Sequence, residues 1–206
     1  MTLDPSSNSP PVRGPADHSV REQIITAANK HFAHYGYAKT TVSDLARQIG
    51  FSKAYIYRFF ESKQAIGEAI CGNCLDGLYG QVKQAVDEGQ DATDKLRRFA
   101  KTVTAVGVEL FFNDRRIHEI AVNASTDKWP ATQAYSERLR MLIEDIVRQG
   151  RENGEFERKT PLDETCRSIT YAFMPFTDPV FLERSLDLLP DAQTEVTSLV
   201  LRSLAP

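Results

Sequence analysis

The residues best suited to chemistry lie between Thr40 and Ile66, in the run TTVSDLARQIGFSKAYIYRFFESKQAI. Val42, Leu45, Ala46 and Ile49 recur at i, i+3, i+4 and i+7, the spacing of one buried helix face. Thr41-Val42-Ser43-Asp44 has the form of a capping box, and Gly50 can end the helix in a left-handed turn. Ser52 can cap a second short helix, Lys53 to Phe60, with Ile56 and Phe60 inward. Two short helices joined by a tight glycine turn make a helix-turn-helix. In that unit the second helix enters the DNA major groove and the first crosses the backbone. The residue types suit the task. Lys53 can reach a base edge or a phosphate, and Ala54 is small enough to let backbone approach closely. Tyr55 and Tyr57 carry hydroxyl-tipped rings for thymine methyls and phosphates. Arg58 and Lys63 supply positive charge, and Arg21 is a further phosphate candidate. Thr41 and Ser43 sit at a helix N-terminus, where amides can meet a phosphate. Tyr35, Tyr37 and Phe60 are expected in the core, and Lys39 and Arg47 are either solvated or bound to phosphate.

Other constellations are weaker. Cys71-Gly72-Asn73-Cys74 has the spacing of redox and metal pairs, but it lies in a helical pattern and Cys166 is remote. Two small buried thiols are the plainer reading. Ser125 to Lys128 matches an acyl-enzyme SxxK without its companion motifs, which makes it a coincidence. Asn123-Ala124-Ser125 is a glycosylation sequon in a chain that carries no secretion signal. There is no phosphate loop, HExxH or GxSxG, and His18, His31, His34 and His118 are not paired with acids at ligand spacing. No catalytic residue, metal site or cofactor is expected.

The elements that must position these residues read as all-α, since 3.6-residue patterns recur and strand alternation is nearly absent. Residues 1–18, rich in proline and poor in apolar side chains, are expected to form a mobile tail. A first helix is expected from Ser19 to Tyr35, with Gly36 as its C-cap. Ser62 can cap a helix that carries Ile66, Ala69, Ile70 and Cys74 inward. Longer helices are expected near 91–112, 115–124, 128–153, 162–174 and 191–204, with Asp91, Asp127 and Asp191 as starts. Pro175 is expected to break the pattern. The resulting division is a three-helix DNA-binding unit at 19–66 and a helical domain at 67–206.

Charge follows that division. Of 25 Lys/Arg and 28 Asp/Glu, residues 1–66 hold eight basic and five acidic, leaving 17 and 23 for the remainder. A basic unit on an acidic one points to a polyanionic partner for the first part only. At 206 residues the chain can bury a substantial core. It has no apolar run long enough to cross a membrane and no apolar leader. Three cysteines do not make a disulfide framework, so a cytoplasmic setting is expected. Secreted mini-protein, membrane protein, collagen and wholly disordered chain are excluded.

Over residues 20–66 the sequence resembles the TetR family of one-component bacterial transcriptional regulators. Gly36-Tyr37, Thr40-Thr41-Val42, Leu45-Ala46, Ile49-Gly50, Ser52-Lys53, Ile56-Tyr57, Phe60 and Ser62-Lys63 carry the resemblance. Phe51, Ala54 and Arg58 depart from it, where valine, glycine and histidine are usual. The resemblance implies a homodimer on double-stranded operator DNA, most commonly as a repressor, and a C-terminal domain that binds a small-molecule effector and dimerises. Phe111, Phe112, His118, Asn123, Trp129, Tyr135, Phe173, Met174 and Phe176 are the candidate pocket residues. Their aromatic character and the acidic balance around them point to an apolar or aromatic effector. Ile169, Phe173, Val196, Leu199, Val200 and Leu204, on the last two helices, are the dimer candidates. The alternative is a thiol- or metal-sensing regulator that uses Cys71 and Cys74 on the same head.

Overall fold

The computed structural model describes residues 15–206, all-α and without strands among the described residues. Helix α1 spans Pro15–Tyr35, four residues longer at its start than expected. Proline suits a first helical position and Asp17 lies in the first turn, facing the positive end of the helix dipole. Ser19 is therefore inside the helix. Of the expected tail, residues 15–18 are helical and residues 1–14 lie outside the described residues.

Helix α2 is Val42–Ile49. Thr41 and Asp44 complete the capping box reciprocally: the Asp44 amide donates to Thr41 Oγ1 at 3.2 Å and the Thr41 amide to Asp44 Oδ2 at 3.0 Å. Gly50 ends the helix at φ 78°, a conformation that glycine adopts without a Cβ penalty. Helix α3 is Lys53–Tyr57, shorter than expected. Beyond Tyr57 the chain tightens into i→i+3 bonds, Arg58 to Tyr55 and Phe59 to Ile56, which still deliver Phe60 to the core. The head core is Ile24, Ala28, Phe32, Leu45, Ile56, Phe60 and Ile66, all buried.

Helix α4, Lys63–Asp87, starts in the head, capped by Ser62, and runs on to pack against α5, Ala92–Asn113, and α7, Pro130–Glu152. Helix α6, Arg115–Thr126, packs against both α1 and α4. The expected start of α7 at Asp127 is corrected. Asp127 closes α6, Lys128 turns the chain at φ 54°, and Pro130 opens α7.

Helix α8, Leu162–Thr177, passes through Pro175 where a break was expected. Proline removes one amide there, but Asp178 N–H still bonds the Met174 carbonyl at 3.1 Å, so the last turn closes around it. A short α9, Pro179–Ser185, was not foreseen, although Asp178-Pro179 is a helix-start signal; Asp178 caps the Val180 and Phe181 amides. A 3₁₀ turn at Leu186–Leu188 leads to α10, Asp191–Ser203. Leu96, Phe99, Ile143, Ile146 and Phe173 are fully or almost fully buried at the centre of this second layer of helices. Among the described residues no helix is long and apolar enough to cross a membrane.

Candidate nucleic-acid interface and effector cavity

The caps of α2 and α3 fix which side chains leave the head. Thr41, Ser43, Lys53, Ala54, Tyr57 and Arg58 are exposed together at the start of α2 and along α3. Tyr55 behaves differently. Its half-buried ring is gripped edge-on between Phe51 and Phe59, at centroid distances of 5.1 and 5.3 Å. Tyr57, 43% exposed, is the freer ring. Lys53 Nζ lies 5.8 Å from the Tyr57 ring and the Arg58 guanidinium 5.4 Å from that of Tyr55, so both cations rest on aromatic faces. Arg21 lies half-buried over Phe60 at 4.7 Å. Thr41 Oγ1 donates to Asp44 at 2.7 Å, and the bonds from the Thr41 side chain and backbone hold the Asp44 carboxyl below its usual range.

Lys63, expected as a phosphate contact, is engaged within the protein. Its ammonium donates to the Tyr37 carbonyl at 3.0 Å and the Ala38 carbonyl at 3.4 Å, and it sits 4.4 Å over the Tyr37 ring. Partial burial there pushes its pKa down. It ties α4 to the turn between α1 and α2. Tyr35, expected in the core, is 54% exposed and packs on the rings of His31 and His34. Phe60 is buried as expected, and Tyr37 is half-buried against the core.

The second domain contains a cavity of about 270 Å³. His118, Tyr135, Phe173, Met174 and Phe176 line it. Phe111 does not; it stands behind, stacked edge-on against His118 at 4.9 Å. Phe112 cannot share its neighbour's direction on a helix and is 69% exposed. Asn123 is exposed as well. Most of the wall is aliphatic, from Leu75, Val103, Leu110, Leu139, Ile143 and Leu182 among others. An aromatic inventory missed these residues, because aliphatic cavity walls share their helical spacing with any core.

Trp129 is also outside the cavity, at the seam between the domains. It is 3% exposed and packs 5.7 Å from the Tyr37 ring. A Cβ on Gly67 of α4 would lie 2.9 Å from Tyr37 and 3.0 Å from Trp129, so only glycine lets α4 approach both rings. The Trp129 amide bonds the Ala124 carbonyl of α6 at 2.8 Å. Helix α6 thus lines the cavity with His118, Ala121 and Ser125 while its C-terminal turn holds the seam residue.

A family model described as the C-terminal domain of tetracyclin repressor-like proteins matches residues 92–200, and one for bacterial regulatory proteins of the tetR family matches residues 24–70. The chain belongs to the TetR family. Among similar proteins, the transcriptional repressor KstR2 of Mycolicibacterium smegmatis is 32% identical over 78 residues, 38% of each chain. The regulator TtgR of Pseudomonas putida is 33% identical over 102 residues, 48% of each chain. The match thus spans under half the length of these relatives. Two solved structures share the fold at lower identity. The fatty acid degradation regulator FadR of Bacillus halodurans has a TM-score of 0.64 at 18% identity, covering 93% of this chain and 97% of that one. FadR of Bacillus subtilis in complex with stearoyl-CoA has a TM-score of 0.64 at 18% identity, covering 89% and 98%.

In this TetR-family chain the cysteines are poor reagents. Burial pushes the Cys71 thiol up to about 12 and also raises those of Cys74 and Cys166. A reactive cysteine requires the opposite shift. Nothing here favours the thiol- or metal-sensing alternative.

His118 is 3% exposed, and its Nε2 has no hydrogen-bond partner; the Glu183 carboxylate is 3.8 Å away, too far for a bond. Burial lowers its pKa, with Glu183 partly opposing. The unfolded chain therefore takes up this proton at a higher pH than the folded one. The stability this contributes is present above the ordinary histidine pKa near 6.5 and is lost as pH falls towards the folded value. The melting temperature of the wild type should consequently fall more between pH 7 and pH 5 than that of His118→Phe. Equal slopes in a thermal melt series would contradict this account of the buried ring.

Proposed function

We propose that the chain is a sequence-specific transcriptional regulator that binds operator DNA as a homodimer and is released when a small molecule occupies the cavity. The exposed, doubly capped α2–α3 unit supports the DNA half of this reading, with Thr41, Ser43, Lys53, Ala54, Tyr57 and Arg58 towards DNA and Arg21 as a phosphate contact. Repression as the sign of regulation rests on relatives named as repressors. Each protomer offers one reading helix, and two must sit about 34–36 Å apart to meet successive major grooves.

The dimer face needs revision from the sequence expectation. Ile169, Phe173, Val200 and Leu204 are buried within their own protomer, and Val196 is half-buried. The exposed apolar side chains of the same two helices are Leu199 on α10 and, on α8, Tyr171 and Met174, which also border the cavity. These are the candidates for a four-helix contact with a second copy.

The single observation that carries the regulatory reading is the double use of α6 as cavity wall and as support of the Trp129–Tyr37–Gly67 seam. A ligand that displaces α6 changes how the head is held against α4. By linkage it weakens DNA binding by the factor by which DNA weakens ligand binding. Footprinting of the purified protein on DNA upstream of its own gene tests the reading, with random DNA of equal length as control. Equal affinity for both would defeat it.

The seam has its own test. Gly67→Ala places a methyl against two rings that have little room to yield, so stability should fall by about 1–3 kcal/mol. The Trp129 emission maximum should move, and operator affinity should change although Gly67 touches neither DNA nor cavity. Unchanged emission and unchanged affinity together would remove the seam from the coupling route.

A further inference from the structure

The cavity is not isolated. An open recess of about 400 Å³ adjoins it, and Ser125, Thr132, Ser136, Arg140 and Thr170 line both. The recess is lined by polar residue types, Lys128, Gln133 and Glu137 among them, although most of the surface they present to it is apolar. Its charges are unevenly satisfied. Arg140 is held by Glu137 at 2.7 Å and by Glu144 at 3.0 Å. Asp178, on the cavity wall, is occupied by the α9 amides and by Ser125 at 2.6 Å. Lys128, presented on the left-handed turn between α6 and α7, pairs with no carboxylate among the described residues. The acidic total of the domain is thus a poor guide to this mouth, where exposed charges beyond about 10 Å are screened.

The inner end also has an unmet polar group. His118 and Ser125 are seven residues apart on α6, hence on one face, with Ala121 between them. Seven residues of α-helix rise about 10 Å. Ser125 belongs to the mouth, and His118, the buried ring whose Nε2 lacks a partner, lies about 10 Å further along the wall. Between them the lining is apolar. A buried ring nitrogen without a hydrogen-bond partner, with the Glu183 carboxylate no nearer than 3.8 Å, costs free energy that a ligand group can recover.

We propose that cavity and recess form one elongated site for an apolar molecule with polar groups at both ends, an acidic head at Lys128 and a distal hydroxyl or carbonyl on His118. This rests on the effector reading above and narrows it from an apolar ligand to a hydroxylated or oxidised acid of medium length. The body of the ligand lies along Ala121 between the two ends.

Four probes separate the two ends: 10-hydroxydecanoic acid, decanoic acid, 1,10-decanediol and 1-decanol, each titrated into the full-length protein by calorimetry. The hydroxy acid should bind roughly tenfold more tightly than decanoic acid. The diol should exceed decanol by a similar factor, and each acid should exceed its alcohol by a few fold. His118→Phe keeps the ring that Phe111 packs on and should erase the preference for the distal hydroxyl. Lys128→Asn tolerates the left-handed turn and should erase only the preference for the acid. Equal binding of the hydroxy acid and decanoic acid by the wild type would overturn the proposal without any variant. So would a hydroxyl preference that survives His118→Phe, or no binding of any probe in titrations at two temperatures. Operator binding measured in parallel keeps the readings apart: intact operator affinity with no probe binding refutes this site alone.

Discussion

Phe99→Ala should lower the free energy of unfolding by about 3–5 kcal/mol. Phe99 is fully buried, lines the cavity and leans on Phe173 at a centroid distance of 5.9 Å. Its removal deletes a large apolar group and enlarges a void already present, so the neighbours have little to collapse onto. Against a typical total of about 5–15 kcal/mol, this leaves the variant marginal. The same void gives the experiment a second arm. An apolar probe such as naphthalene at one hundred times its dissociation constant should restore about 2.7 kcal/mol. Urea denaturation with and without the probe reads both effects. A loss below about 1 kcal/mol would mean that this face of α5 is not packed as described.

The other large effect belongs to α3. A side chain that reads a base edge contributes about 1–3 kcal/mol of discrimination, and the proposed homodimer loses it twice. Lys53→Ala and Tyr57→Ala should therefore each cost about 2–6 kcal/mol of operator affinity, roughly 30-fold to beyond 10,000-fold. Binding to random DNA should fall far less. Tyr55→Ala should behave otherwise. Its ring is clamped by Phe51 and Phe59, so the expected loss is in melting temperature, with weaker binding to every sequence alike. Competition titrations at one fixed salt concentration separate the cases. If Tyr55→Ala alters base preference while Lys53→Ala and Tyr57→Ala do not, the reading face has been drawn one residue out of place.

The head was legible because its signals are local. Thr41, Asp44, Gly50 and Ser52 act on amides within four residues, and the structure realises each cap. The second domain was legible only as helices. Whether Trp129 faces a cavity or a seam depends on Tyr37 and Gly67, which lie far away in sequence, and no periodicity reports that. Phe111 and Phe112 look alike as residues, yet one supports a cavity residue and the other faces solvent. That Lys63 also ties α4 to the carbonyls of Tyr37 and Ala38 is a contact across more than twenty residues that no local signal reports. Pro175 misled for a related reason: a lost amide in a final turn leaves the rest of the helix bonded.

The double duty of α6 also constrains how such a molecule can change over generations. His118, Ala121 and Ser125 define what fits, while the same rigid rod props the tryptophan on which the head leans. On the proposed function, a substitution that admits a new ligand by shifting this rod is expected to reset the grip on DNA as well. If ligand choice and resting DNA affinity are coupled in this proposed way, they are inherited together, and a lineage adapting to a new compound should acquire compensating changes around Tyr37 or Gly67, remote from the compound itself.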